Sequence, residues 1–205
     1  MKEITKENSL PDRESIIYVS DFHHVNKKSI KNFTFDDYSE IFLGLGCFWG
    51  AEKLFWNLSD IYVTSVGYCG GFTKNPTYQD ICSGYTGHAE VVRIIFQKNI
   101  LILKKILKVF WENHDPTQGM KQGNDIGEQY RSCVYVNDIE FFNIANQSKD
   151  IYQKNLYKNN IKNVITTEIE LNKLFYYAED YHQQYLSKNP SGYCGICGLG
   201  VEFKT

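Results

Sequence analysis

No long run of lysines and arginines occurs in the chain, and its 22 basic residues are balanced by 24 acidic ones, giving a formal charge of −2. Nothing in that balance points to nucleic acid as a partner. Long hydrophobic runs are missing too. The longest, residues 41–51 with its glycines counted, is bounded by Glu40 and Glu52. A membrane span needs roughly 18 or more such residues, so no membrane association is expected. The first residues, MKEITKENSL, lack the apolar centre of a signal peptide. A soluble, cytoplasmic protein is the expectation from these absences. Six cysteines in 205 residues are too few for a disulfide scaffold. In a reducing compartment they are read as thiols, some of them open to catalysis. The chain has no internal repeat and no low-complexity block. What it does have is 42% hydrophobic residues. At this length roughly 70% of the unfolded surface can be buried, so a core forms without help from a metal or disulfides.

Residues 1–40 are polar and without clear periodicity, and are expected to form an arm that packs on a single catalytic domain, residues 41–205. The run 41–45 reads as a buried strand. Ala51, Leu54, Phe55 and Leu58 recur at helical spacing behind it. A second strand is expected over 61–67, followed by an extended loop over 69–88. Residues 91–96 are apolar on both alternations, as in a central strand covered on both faces. A helix over 102–110, a glycine loop over 119–127, a strand over 132–136 and a helix over 140–157 follow. Residues 164–169 read as a strand and 174–186 as a tyrosine-rich helix. The tail, 189–205, is glycine-rich and is expected to be mobile. Strands and helices interleave irregularly, which makes the class α+β or mixed α/β.

Gly46-Cys47-Phe48-Trp49-Gly50 places a cysteine where a buried strand gives way to a helix. A helix N-terminus presents unpaired N–H groups and partial positive charge, both of which favour thiolate, the nucleophilic form. Phe48 and Trp49 are suited to wall a small apolar pocket. A buried, inert Cys47 is the alternative. Gly44-x-Gly46 opens like a dinucleotide fingerprint, but Trp49 stands where the third glycine belongs. Glu90, in Gly87-His88-Ala89-Glu90, would share a strand face with Val92, Ile94 and Phe96. A carboxyl held against apolar groups keeps its proton to higher pH and can serve as an acid; a solvated strand-end glutamate is the alternative. His88 reads as a structural hydrogen-bonding residue. Tyr78, Asp125 and Tyr130 lie in polar loops, where a tyrosine hydroxyl can hold a polar oxygen, though 15 tyrosines make packing the commoner role. Cys194 and Cys197 form a C-x-x-C among glycines. Cys69, Cys82 and Cys133 read as bystanders.

Taken together, Gly46-Cys47-Phe48-Trp49-Gly50, Thr86-Gly87-His88-Ala89-Glu90, Gln122-Gly123-Asn124-Asp125, Gln129-Tyr130-Arg131-Ser132 and Gly192-Tyr193-Cys194-Gly195 occur in that order. In this the chain resembles the A type of peptide methionine sulfoxide reductase over about residues 41–200. The 1–40 arm looks like the N-terminal extension of longer bacterial members. The resemblance implies a two-layer α+β sandwich with a ferredoxin-like core, a mixed sheet flanked by helices. It implies Cys47 as the nucleophile toward the sulfoxide sulfur, Phe48 and Trp49 as walls for the S-methyl group, and Glu90 as the acid. It further implies Tyr78 and Tyr130 as holders of the sulfoxide oxygen, Asp125 as a polar partner and Cys194 as the resolving thiol. No cofactor is implied, only thioredoxin or a small dithiol as electron donor. The implied substrate is the S epimer of methionine sulfoxide, peptide-bound or free, and a monomer is expected. The chemistry is coherent: a sulfoxide oxygen leaves only when protonated, and a cysteine sulfenic acid condenses with a second thiol.

The chain departs from the family at one place. Many long bacterial members carry a further cysteine eight residues after the resolving one, and here that position is Glu202. Either Cys197 takes over as the outer recycling thiol or reductant attacks the Cys47–Cys194 disulfide directly; the C-x-x-C spacing favours Cys197. Two other classes compete: a zinc module built from the tail cysteines with His182 or His88, and a dithiol oxidoreductase using Cys194 and Cys197. The first lacks a second C-x-x-C or H-x-x-x-H, and the second lacks a strand-to-helix setting.

Overall fold

The apolar run at 41–45 lies within β1 (Tyr38–Gly44), the inner strand on which the rest of the domain is assembled. A computed structural model describes residues 4–34 and 36–205. After β1 come α1 (Phe48–Phe55), β2 (Ile61–Cys69), α2 (Tyr78–Cys82), β3 (Ala89–Gln97) and α3 (Ile100–Glu112). A short hairpin, β4 (Lys121–Gln122) and β5 (Asp125–Ile126), precedes β6 (Cys133–Val136) and α4 (Ile139–Lys158). β7 (Glu168–Leu171), β8 (Phe175–Tyr177) and α5 (Tyr185–Lys188) complete the order.

The main sheet has six strands in the order β7-β6-β1-β3-β2-β8. All neighbours are antiparallel except β6 and β7. Within it, β1-α1-β2-β3-α3-β6 with spatial order β6-β1-β3-β2 is the ferredoxin-like βαββαβ unit. The fold is therefore α+β, as expected. One sheet face is covered by helices: Ile41, Leu43, Val66, Val92, Ile94, Phe96 and Val134 pack with Phe48, Phe55, Leu103, Ile106, Phe110 and Phe141. The other face carries Phe42, Val91, Cys69, Cys133 and Tyr135. Part of it is closed by residues from before β1, with Val19 and Ile30 buried against Val63 and Ile95. Of the 1–40 stretch, residues 1–3 and 35 lie outside the described residues.

Three expectations need correction. The 174–186 helix does not exist. Phe175–Tyr177 is a strand paired with Gly67–Cys69, followed by a single 3₁₀ turn at Asp180–His182 and the short α5. The tyrosines imitate a helical stripe, but pairing with the edge of β2 satisfies their backbone, and Gln184 takes a left-handed conformation (φ 47°) that no helix tolerates. The strand placed at 164–169 begins only at Glu168, because its partner β6 spans Cys133–Val136 and fixes the register. The 69–88 loop contains the five-residue α2, which begins with a reciprocal capping box between Thr77 and Asp80. The tail, residues 189–205, has no regular structure. Its end is tied down: Tyr152 donates to the Val201 carbonyl at 3.2 Å and the Phe203 N–H donates to Glu112 at 2.7 Å. Among the described residues no helix is long and apolar enough to cross a membrane.

Candidate active site

Cys47 is the N-cap of α1, directly beyond the Gly44 end of β1. Gly46 makes the connection possible: its φ is +94°, and a Cβ there would lie 2.7 Å from Gln122 Cγ. The first turn of α1 aims its N–H groups at two side chains. Those of Trp49 and Gly50 make no hydrogen bond to Cys47 but favour its ionised form, and that of Phe48 donates to Glu90 Oε2 at 3.1 Å. One helix terminus thus serves both the thiol and the carboxyl.

Glu90 stands on β3 opposite Tyr68 of β2 and is only 2% exposed. Val92, Ile94 and Phe96, on the same face, all lie in the apolar cluster under α1. Burial pushes the Glu90 carboxyl up to about 8, against the opposing pull of the Phe48 N–H; Asp125 adds a smaller upward push. Glu90 is therefore predominantly protonated at neutral pH, as an acid must be.

The expectation for Cys47 itself is overturned in one respect. The two helix N–H groups do favour thiolate, but burial outweighs them and Glu90 pushes in the same upward direction, so the thiol lies near 12. Cys47 is held as a thiol. A protonated, neutral Glu90 removes the second contribution.

Tyr78 opens α2 and Tyr130 closes the 3₁₀ turn Glu128–Tyr130. Burial raises both phenols above their ordinary range, so each keeps its proton. Both hydroxyls are thus donors beside the carboxyl. Asp125, on β5, accepts from the Tyr193 hydroxyl at 3.1 Å. That hydroxyl lies within electrostatic reach of both Cys47 and Cys194.

Phe48 is buried, while Trp49 is held edge and face. Its indole N–H donates to His182 Nδ1 at 2.9 Å, and its ring stacks on Tyr185 with centroids 3.8 Å apart. His182 in turn packs against Phe48, Tyr78 and Tyr181. The backbone N–H of Tyr78 and the hydroxyl of Tyr68 both donate to Glu179, at 2.9 and 3.0 Å.

Cys194 is exposed and its sulfur lies against the first turn of α1: a Cβ built on Gly50 would be 3.1 Å from it and 2.6 Å from Ile196 Cγ1. Gly50 is the reason the tail comes this close. Cys197 is exposed, with its sulfur 3.7 Å from the neighbouring Gly198 carbonyl. The structure thus gathers Cys47, Phe48, Trp49, Tyr78, Glu90, Asp125, Tyr130 and Cys194 at one end of the sheet. Cys69 and Cys133 are buried in the opposite face. Cys82 is more than a bystander in position, since its thiol and the Tyr78 hydroxyl lie near enough to shift each other's ionisation. Sequence reasoning passed over Glu179, Tyr185 and Tyr193. Only Tyr193 had a local signal, its place before Cys194; the other two lay in the misread helix.

His88 accepts from the Gly71 N–H at Nδ1 (3.0 Å) and donates from Nε2 to the Thr73 carbonyl (2.8 Å), leaving no nitrogen for a metal. Among the described residues no group of three or more His, Cys, Asp or Glu side chains is placed to hold a metal ion. The tail cysteines are followed by no helix, so the setting of a protein dithiol oxidoreductase is missing.

A buried acid, a cysteine on a helix N-terminus, two phenol donors and a second thiol define a thiol oxidoreductase that works on a small polar oxygen beside an apolar wall. The family model described as peptide methionine sulfoxide reductase matches residues 39–200. The chain belongs to that family. It is 55% identical over 200 residues to the peptide methionine sulfoxide reductase MsrA of Photobacterium profundum, covering 98% of this chain and 95% of that one. Among solved structures, methionine sulfoxide reductase A of Corynebacterium diphtheriae superposes with a TM-score of 0.82 at 36% identity, covering 95% of this chain and 94% of that one. Mxr1 from Saccharomyces cerevisiae in reduced form gives 0.71 at 31%, covering 85% and 96%. Mxr1 has also been solved in complex with Trx2.

Proposed function

We propose that the chain reduces methionine sulfoxide, in proteins and as the free amino acid, to methionine, selecting the S epimer, and so repairs oxidised protein. The observation that carries this is the shared helix terminus, where the Phe48 N–H fixes a protonated Glu90 beside the Cys47 sulfur. In this reading the sulfoxide oxygen takes a proton from Glu90 and is held by the Tyr78 and Tyr130 hydroxyls while the Cys47 sulfur attacks. The S–O bond of the substrate breaks and an S–O bond forms on Cys47. Thiol plus sulfoxide gives sulfenic acid plus thioether, so atoms and electrons balance. The S-methyl group lies against Phe48 and Trp49. A fixed acid on one side and a fixed apolar wall on the other suit one configuration at sulfur.

Cys194 then attacks the Cys47 sulfenic acid, releasing water and leaving a disulfide. Its position against Gly50 supports that role. Thioredoxin is the reductant favoured by this chemistry, and the Mxr1–Trx2 complex supports the assignment. Cys197 is assigned as the outer thiol that hands the disulfide to the reductant, a role supported only by its spacing from Cys194. No cofactor is needed, because every electron moves between sulfurs. A cycle that runs through free thiols suits a reducing compartment such as the cytoplasm, and we assign the chain there as a monomer.

The test is an assay on the separated S and R epimers of a blocked methionine sulfoxide with dithiothreitol, repeated with thioredoxin. Consumption of the S epimer alone is the expected result. Consumption of neither, or of both equally, overturns the reading.

A further inference from the structure

The three residues that grip Trp49 and α1 lie on one short segment, 182–185, and that segment is itself held by hydrogen bonds that reach back to the N-terminal arm. Trp49 and Glu52 lie one turn apart on α1. The first clasps His182 and Tyr185, as described above. The second clasps Gln184. Glu52 is fully buried, and its two oxygens accept from the Gln184 N–H (2.8 Å), the Gln184 side-chain amide (2.8 Å) and the Thr64 hydroxyl (2.8 Å).

Thr64 leads to the arm. His23 is wholly buried, and its Nδ1 accepts from the Val25 and Asn26 N–H groups, both at 3.2 Å. The proton is thereby assigned to Nε2, which donates to Thr64 Oγ1 at 3.0 Å, freeing the Thr64 proton for Glu52. The hydrogen bonds run from His23 through Thr64 to the Glu52 acceptor without a break. The arm also touches Gln184 directly, through the His24 N–H to Gln184 Oε1 at 2.9 Å. A residue in the left-handed region costs energy outside glycine and persists where its surroundings over-determine it. Gln184 is one, with φ 47° and ψ 43°, and every polar group on its side chain is engaged by α1 or by the arm.

We propose that His23 is a positioning residue for substrate binding: acting through Thr64 and Glu52, it holds the Gln184 turn in the conformation that presents His182 and Tyr185 to Trp49. The N-terminal arm is then part of what shapes the methyl-binding wall, although it touches no reacting atom. The inference rests on the reading of Trp49 as that wall. Its chemistry is ordinary: a small displacement of a binding surface by a distant change can cost up to about a hundredfold in rate, and loss of uniform binding is read in KM.

The experiment is a double-mutant cycle on kcat and KM for the S epimer, with thermal unfolding run on each protein. His23→Leu is expected to raise KM roughly tenfold with kcat changed less, while His23→Gln, which keeps an N–H donor for Thr64, restores most of the loss. In a Trp49→Phe background, whose ring offers His182 no N–H, His23→Leu is expected to add less than about twofold, the non-additivity of residues acting through one group. Wild-type KM in His23→Leu, or an equal loss in both backgrounds, overturns the inference. Should His23→Leu not fold, Gln184→Asn, which tolerates the left-handed turn but withdraws the amide from Glu52 and His24, is run through the same cycle with the same criteria. An inactive wild-type chain overturns the parent reading and this inference with it, whereas an active one with an additive cycle overturns this inference alone.

Discussion

The Phe48 N–H and Glu90 Oε2 are 3.1 Å apart, joining the residue after the nucleophile to a carboxyl 42 positions later on the central sheet. This bond sets the distance between acid and thiol. It also stabilises the ionised form of Glu90, and burial overcomes it. The site therefore holds its acid protonated against a hydrogen bond that would ionise it.

Glu90→Gln keeps an acceptor for Phe48 but has no proton to give. The sulfoxide-reduction step should slow by about 10²–10⁴, the usual range for a lost general acid. Rapid quenching of a single turnover with excess enzyme measures that step apart from recycling; a rate within threefold of wild type would remove the acid role.

Rate against pH should report the same group. The acid works only while protonated, and its carboxyl lies near 8. The single-turnover rate should therefore decline as pH rises through about 8, and the decline should vanish in Glu90→Gln. A rate that rises through pH 8–9 would instead mean that thiol ionisation governs the step.

Stability carries the opposite sign from an ordinary salt-bridged carboxylate. Burial raises the folded-state value from 4.5 to about 8, so between those limits the folded protein binds more protons than the unfolded chain. Wild-type stability is full below 4.5 and is lost as pH rises toward 8, by at most about 1.4 kcal/mol per unit. Glu90→Gln should thus be the more stable protein at pH 9, by about 1–3 kcal/mol, and the difference should shrink toward pH 5. Urea unfolding at the two pH values decides it. A variant less stable than wild type at pH 9 would show that burial does not dominate here.

How far these features were readable from sequence differs from residue to residue. The strand, Cys47 and the following helix were legible because they depend on neighbours in the chain: an apolar run, two glycines and a 3.6-residue stripe. Glu90 was legible as one polar position on an apolar face. The protonated state of Cys47 was not. The helix N–H groups that favour thiolate are local, whereas the burial that outweighs them comes from the tertiary packing around Cys47. The same division explains the misread 174–186 segment. Its conformation is set by Gln183 bonding Val66 and by Gln184 bonding Glu52, contacts more than a hundred residues away. The short α2 did leave a local mark, the Thr77-x-x-Asp80 capping pair, which a glycine-rich setting obscured.

Gly50 separates the two halves of the cycle. An added methyl at this position meets the Cys194 sulfur at 3.1 Å and Ile196 at 2.6 Å, so the tail must move away from α1. The Cys47, Glu90 and Phe48 geometry does not depend on that contact. Gly50→Ala should therefore still release about one methionine per enzyme in the first turnover, because alanine is the better helix former and the acid is untouched. Turnover driven by thioredoxin should fall more than about tenfold, because thiol exchange needs access of one sulfur to the other. Trapping the sulfenic acid with dimedone reads the intermediate directly: labelling of Cys47 should rise in Gly50→Ala and, equally, in Cys194→Ser. Cys197→Ser offers the contrast, since it leaves the Gly50 surface open; in that variant the disulfide should form at the normal rate and only its reduction by thioredoxin should slow. If Gly50→Ala formed the disulfide as fast as wild type, the approach of Cys194 across Gly50 would not be the route by which the sulfenic acid is resolved.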